Sequence, residues 1–132
     1  MTLQTVYNKN LMNDILESRQ EGRLLRVWLN RPEKRNALTV ELCRELVHTL
    51  ERGERDASVC AMLLAGKGNS FCAGMDLNEL AQGDIIEISQ VQEALFTLGA
   101  RFRKPLICAV QGAALAATGV RRRRNLVSSC MV

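Results

Sequence analysis

A chain of 132 residues has room for one domain with a real core, and is short for a multilayer α/β enzyme. Hydrophobic residues make up 47% and charged residues 24%, which excludes global disorder, and no apolar run is long enough to span a bilayer. The formal charge of +4 comes from one local run, Arg121-Arg122-Arg123-Arg124, with no helix-turn-helix, zinc-finger or aromatic RNA-binding pattern beside it, so no nucleic-acid partner is expected.

In chain order, Met1 to Asn13 carries Lys9 as its one cation and lacks a signal-type apolar core. This stretch, 1–13, is expected to be a poorly ordered N-terminal arm, and without a targeting segment the location expected is cytoplasmic, a mitochondrial one being left open. Ile15 to Gln20 and Arg23 to Asn30 read as two strands joined at Glu21-Gly22, because Leu25, Val27 and Leu29 alternate with Leu24, Arg26 and Trp28. Arg31 to Leu38 is a loop: Pro32 disfavours helix before it and Asn36 favours a turn. Thr39 is a plausible N-cap for a helix running to about Gly53, with Cys43, Leu46, Val47 and Leu50 at helical spacing on its buried face. His48, the single histidine, lies off that stripe and is expected at the surface.

Val59 to Ala65 is continuously apolar, which predicts a strand buried on both faces of a largely parallel sheet. Strand, helix, strand is the rhythm of an α/β layer fold, in which ligands sit at the carboxyl ends of the strands. Gly66 to Ser70 is a loop by composition, and Ala73-Gly74 lets backbone approach a ligand closely. Asp76 then opens a short helix, so the amides around Met75 are donors that an oxyanion can use. Ile88, Val91, Leu95, Leu98 and Phe102 form the apolar stripe of a helix from about Asp84 to Arg103, a stripe more suited to the core than to an oligomer contact. Lys104-Pro105 stops it, Leu106 to Val110 is a further strand, and Gly112 opens a small-residue segment. The five cysteines are odd in number and contain no C-x-x-C pair, which fits reduced residues of an intracellular protein better than a disulfide or zinc framework.

Three stretches carry a family resemblance. Phe71-Cys72-Ala73-Gly74-Met75-Asp76-Leu77 resembles the F-x-A-G-x-D-L/I signature of the crotonase, or enoyl-CoA hydratase/isomerase, superfamily. Leu29-Asn30-Arg31-Pro32-Glu33-Lys34-Arg35-Asn36-Ala37-Leu38 resembles that family's N-R-P-x-x-x-N-A-L/F segment, and Lys104-Pro105-Leu106-Ile107-Cys108-Ala109-Val110-Gln111-Gly112 its K-P-x-I-A-x-V/I-x-G segment. The order and spacing agree. The resemblance implies an α/β, crotonase-like fold of spiralling ββα repeats, present as its N-terminal portion over 14–120, followed by a divergent basic tail, 121–132.

The resemblance further implies an acyl-CoA substrate, with coenzyme A as part of the thioester and neither a separate cofactor nor a metal. The thioester carbonyl would be held by the backbone amides of Met75 and Ala117, and the enolate-like charge on its oxygen stabilised there. Coenzyme A would lie against Lys34, Arg35, Ala37, Ala73, Gly74, Met75, Asp76, Leu77 and Asn78, the two cations favouring its phosphates. Hydratases of the family place a glutamate a few residues past the second amide, and Val120 stands there in this chain. Valine cannot move a proton. Two readings therefore stand: hydration or isomerisation of an enoyl-CoA, with a family-type trimer, or a truncated, catalytically silent form that binds CoA weakly or associates with full-length relatives. Asp76 and Glu79, the carboxylates nearest the motif, read as a helix-start residue and a solvated one.

Overall fold

A computed structural model describes residues 10–12, 14–112 and 126–130, with side chains over 14–112. Strands β1 (Asn10–Met12), β2 (Leu16–Glu21) and β3 (Leu24–Leu29) precede helix α1 (Val40–Arg55) and strand β4 (Ala61–Gly66). Helices α2 (Leu77–Gln82) and α3 (Ile85–Arg101) follow, then strands β5 (Leu106–Val110) and β6 (Leu126–Cys130). Among the described residues the strands form one six-stranded sheet in the order β1-β2-β3-β4-β5-β6, antiparallel up to β3 and parallel beyond it.

The hairpin sits where the alternation predicts, with Leu16 opposite Leu29 and Glu21 opposite Leu24. Gly22 takes a positive φ at its tip. Leu25, Val27 and Leu29 turn inward beside Met62 and Leu64 of β4 and Leu106 and Cys108 of β5, all buried. Thr39 caps α1 by accepting from the Leu42 amide at 3.1 Å, and Cys43, Leu46 and Leu50 are buried while His48 is exposed. At the other end, Lys104 Nζ donates to the carbonyls of Gly53 and Asp56, a cation placed on the negative end of the helix. That gives the lysine of the Lys104-Pro105 motif a structural role.

Helix α3 starts at its N-cap Asp84 and buries Ile88, Val91 and Leu98, with Phe102 just past its end. It lies against α1, and two exposed ion pairs, Arg44–Glu87 and Arg101–Glu51, tie the helices at the rim. Exposed pairs of this kind contribute little, so apolar contact holds the two helices together.

One expectation is corrected. Strand β4 alternates, with Met62, Leu64 and Gly66 buried and Ala61, Leu63 and Ala65 half-buried, instead of being buried on both faces. The register puts Trp28 opposite Ala65 and Leu63 opposite Ile107 on that second, half-exposed face, away from the helix-packed core. Asn10–Met12, within the stretch expected to be a patternless arm, pairs with β2, and Leu126–Cys130, within the expected divergent tail, pairs in parallel with β5. The arginine run itself lies outside the described residues.

Candidate functional site

Strand β4 ends at Gly66, and the chain then turns across the carboxyl ends of β3, β4 and β5. The Lys67 amide donates to Leu29 O at 2.9 Å and the Phe71 amide to Gln111 O at 2.8 Å, so the loop is fastened to both neighbours. Gly112, at φ +60, lies so close to this loop that a Cβ would meet Asn69 O at 2.2 Å, which explains the glycine ending the third motif. Phe71 and Cys72 are buried and anchor the turn from below. The Ala73 amide donates to Arg35 O at 2.9 Å, bringing the first two motifs side by side.

Leu38 and Met75 then form an isolated parallel bridge. The Leu38 amide donates to Gly74 O and the Asp76 amide to Leu38 O, both at 2.8 Å. A parallel bridge uses the groups flanking its central residue and turns that residue's own N–H and C=O the other way. The Met75 amide accordingly points away from Leu38 and donates to no group among the described residues. Gly74 reaches this geometry at φ +95, a region costly for any side chain. The Met75 amide is not one of the helix-start amides expected from the sequence, because helix α2 begins only at Leu77, with Asp76 as its N-cap.

Two polar residues from the first motif hold the turn. Asn36 is fully buried in the left-handed region at φ 55, and its side chain accepts from the Arg31 amide at 2.8 Å. Its Nδ2 donates to Lys67 O at 2.9 Å and Ser70 O at 2.8 Å. Arg31 donates through Nη1 to Ala37 O and through both Nη atoms to Asp76 Oδ2, each at 3.3 Å. Asp76 Oδ1 accepts from the Asn78 amide at 2.8 Å, so both oxygens are engaged. Burial alone raises the Asp76 pKa, but the Asn78 amide, the Arg31 guanidinium and the Glu79 amide outweigh it and hold the carboxyl below its ordinary value. Glu79, expected to be solvated, is half-buried and accepts from the Val40 amide at 3.2 Å, joining α2 to the start of α1.

Beside the bridge lies a cavity of about 270 Å³ lined by Leu38, Ala73, Gly74, Met75, Leu80, Gln92, Leu95 and Phe96. Among the described residues, Gln92 is the one polar side chain in that lining, and no carboxylate is part of it. Of the residues expected to meet coenzyme A, Ala73, Gly74 and Met75 line this cavity. Lys34 and Arg35 stand exposed on the turn that follows Pro32, Ala37 is half-buried between them and Leu38, and Leu77 and Asn78 are exposed at the start of α2. Asp76 is committed to Arg31 and the α2 cap. Ala117 and Val120 lie outside the described residues. Beneath the turn, Cys43 has its thiol pKa pushed up to about 12 by burial and by the neighbouring Cys72 and Glu79, so it stays a neutral thiol. Burial also raises the Cys72 thiol, partly offset by the Gly74 amide, which lies 3.5 Å from its sulfur.

The family model for enoyl-CoA hydratase/isomerase matches residues 19–121. The chain belongs to the enoyl-CoA hydratase/isomerase family. It is 40% identical over 107 residues to 2,3-dehydroadipyl-CoA hydratase of Escherichia coli, covering 80% of this chain and 42% of that protein. It is 33% identical over 123 residues to the mitochondrial Delta(3,5)-Delta(2,4)-dienoyl-CoA isomerase of Rattus norvegicus, covering 81% of this chain and 36% of the relative. A solved Pseudomonas aeruginosa protein superposes with a TM-score of 0.72 at 35% identity, over 80% of this chain and 48% of that one. An enoyl-CoA hydratase/carnithine racemase from Magnetospirillum magneticum gives 0.70 at 26% identity, over 78% and 40%. The chain thus spans less than half the length of these relatives. The region matched by the enoyl-CoA hydratase/isomerase family holds the whole Arg31–Asn36–Asp76 network and the whole cavity lining, whereas β6 lies beyond it.

Proposed function

We propose that this chain binds an acyl-CoA thioester in the cavity beside Met75 and polarises its carbonyl through backbone amides, the step common to hydration and isomerisation of an enoyl-CoA. The observation that carries this reading is the Leu38–Met75 bridge, which leaves the amide of Met75, a residue lining an apolar cavity, directed away from Leu38. A preorganised donor of this kind costs nothing to orient when charge develops on the thioester oxygen. The Ala117 amide is the proposed second donor. Lys34 and Arg35, exposed and without an ion-pair partner among the described residues, are the proposed contacts for the phosphates of coenzyme A. The neighbours named as hydratase and as isomerase are consistent with either reaction.

A second reading, binding without turnover, is favoured by the absence of any carboxylate among the described cavity-lining residues and by Val120 in the place of the expected glutamate. Proton transfer needs a titratable group within hydrogen-bond reach of the substrate. A thermal melt with and without acyl-CoA tests the first half of the proposal. At a ligand concentration near 100 times Kd, native-state binding adds about 2.7 kcal/mol and raises the transition temperature. A transition that does not move with acyl-CoA would sink the binding reading. Loss of the conjugated enoyl absorbance on incubation with an enoyl-CoA separates turnover from binding alone.

A further inference from the structure

We propose that Arg31 is a positioning residue: its guanidinium, held between Ala37 O and Asp76 Oδ2, locks the Leu38–Met75 bridge and so aims the Met75 amide at the thioester carbonyl. The inference rests on the acyl-CoA reading for its ligand and on geometry for the rest.

The two sides of the bridge come from segments far apart in sequence; two backbone hydrogen bonds make the bridge itself, Leu38 N to Gly74 O and Asp76 N to Leu38 O, and one more joins the segments from Ala73 N to Arg35 O. Arg31 adds a second tie on each side of those bonds. It reaches Ala37, the residue before Leu38, and Asp76, the residue after Met75. The pair is shielded, with side-chain exposures of 16% for Arg31 and 11% for Asp76, so it is screened far less than the rim pairs of α1 and α3. Arg31 is itself fixed at its backbone, its amide donating to Asn36 Oδ1 and its carbonyl accepting from the Asn36 amide at 2.9 Å. The fork of the guanidinium allows one side chain to serve the carbonyl and the carboxylate together, which a single lysine ammonium at the same backbone position does less well. Misplacing an oxyanion donor weakens it steeply, because the hydrogen bond depends on distance and angle.

The test uses the full chain with Arg31→Lys and, because the arginine variant can fail to fold, Asp76→Asn. The asparagine keeps an oxygen for the Asn78 amide and removes the charge that Arg31 meets. Hydrogen exchange of the Leu38 and Asp76 amides is followed without ligand, with the Leu46 and Leu50 amides of α1 as the internal reference. The expected result is exchange at least tenfold faster at Leu38 and Asp76 in both variants, with α1 unchanged. Equal protection at the bridge, or acceleration spread evenly over α1, overturns the proposal. The carbonyl stretch of bound, isotope-labelled crotonyl-CoA is then compared. The variants should lose half or more of the shift to lower frequency seen with the parent, and a full shift in Asp76→Asn overturns the aiming role. If the parent chain binds no crotonyl-CoA, the acyl-CoA reading fails by itself, and the exchange measurement still decides the bridge.

Discussion

The Nδ2 atom of Asn36 lies 2.8 Å from the carbonyl oxygen of Ser70, across a gap of 34 residues, and the same atom reaches Lys67 O at 2.9 Å. With Oδ1 on the Arg31 amide, one buried amide side chain satisfies three backbone groups from two loops. Asn36→Ala leaves these groups unpaired around a position that is itself fully buried. Each orphaned buried polar group costs about 1–3 kcal/mol, so a loss of about 3 kcal/mol or more is expected. A lower urea midpoint with an unchanged slope is the readout, and Lys34→Ala, two residues away and exposed, should stay within about 0.5 kcal/mol of the parent.

Gly74→Ala separates stability from binding. At φ +95 an alanine is strained by about 1–3 kcal/mol, and relaxation of that strain would rotate the peptide carrying the Met75 amide. Titration calorimetry should therefore show crotonyl-CoA bound at least tenfold more weakly at a temperature where the variant is still folded. Coenzyme A without an acyl group, which offers no thioester carbonyl to Met75, should lose much less affinity. Equal losses for the two ligands would argue against a carbonyl contact at Met75.

Much of this was legible in the sequence because it is local. The Thr39 cap, the Cys43–Leu46–Leu50 stripe of α1, the Ile88–Phe102 stripe of α3 and the glycine at the Met75 turn each depend on neighbours within a few residues. What was not legible depends on distant partners. Asn36 reads as a turn residue by composition, and only its burial against Lys67 and Ser70 makes it a tertiary fastener. Asp76 reads as a helix start, which it is, yet its partnership with Arg31 spans 45 residues. Strand β4 looks buried on both faces because hydropathy reports apolar side chains and not what lies over them. Gln92 sits in a helical stretch, where no sequence signal marks it as the polar member of a cavity lining.

Stability should fall at both ends of the pH range, for different groups. Asp76 has its folded pKa depressed, so its contribution is fully present above the unfolded value of about 3.9 and is lost as pH drops through the folded one. Cys43 and Cys108 are raised by burial, to about 12 and about 11, so they favour the fold fully below the unfolded thiol value of about 8.5. That contribution erodes between there and about pH 11–12. Urea midpoints should decline on the acid side less steeply in Asp76→Asn than in the parent. On the alkaline side, Cys108→Ala should flatten the decline even though its midpoint at neutral pH is lower.

Among the described residues, Gln92 offers the cavity its one side-chain hydrogen-bonding group, in a lining shared with Leu38, Met75, Leu80, Leu95 and Phe96. An apolar acyl chain occupying this space would strip water from the Gln92 amide without replacing it, at a cost of about 1–3 kcal/mol. An acyl chain ending in a carboxylate or hydroxyl could pair with it instead. Gln92→Leu should therefore tighten binding of hexanoyl-CoA by about tenfold, about 1.4 kcal/mol, and weaken that of adipyl-CoA, its ω-carboxy counterpart. Affinities for the two thioesters, measured by calorimetry on parent and variant, give a selectivity ratio that cancels any uniform loss of stability. A ratio unchanged by Gln92→Leu would place the acyl chain elsewhere than in this cavity.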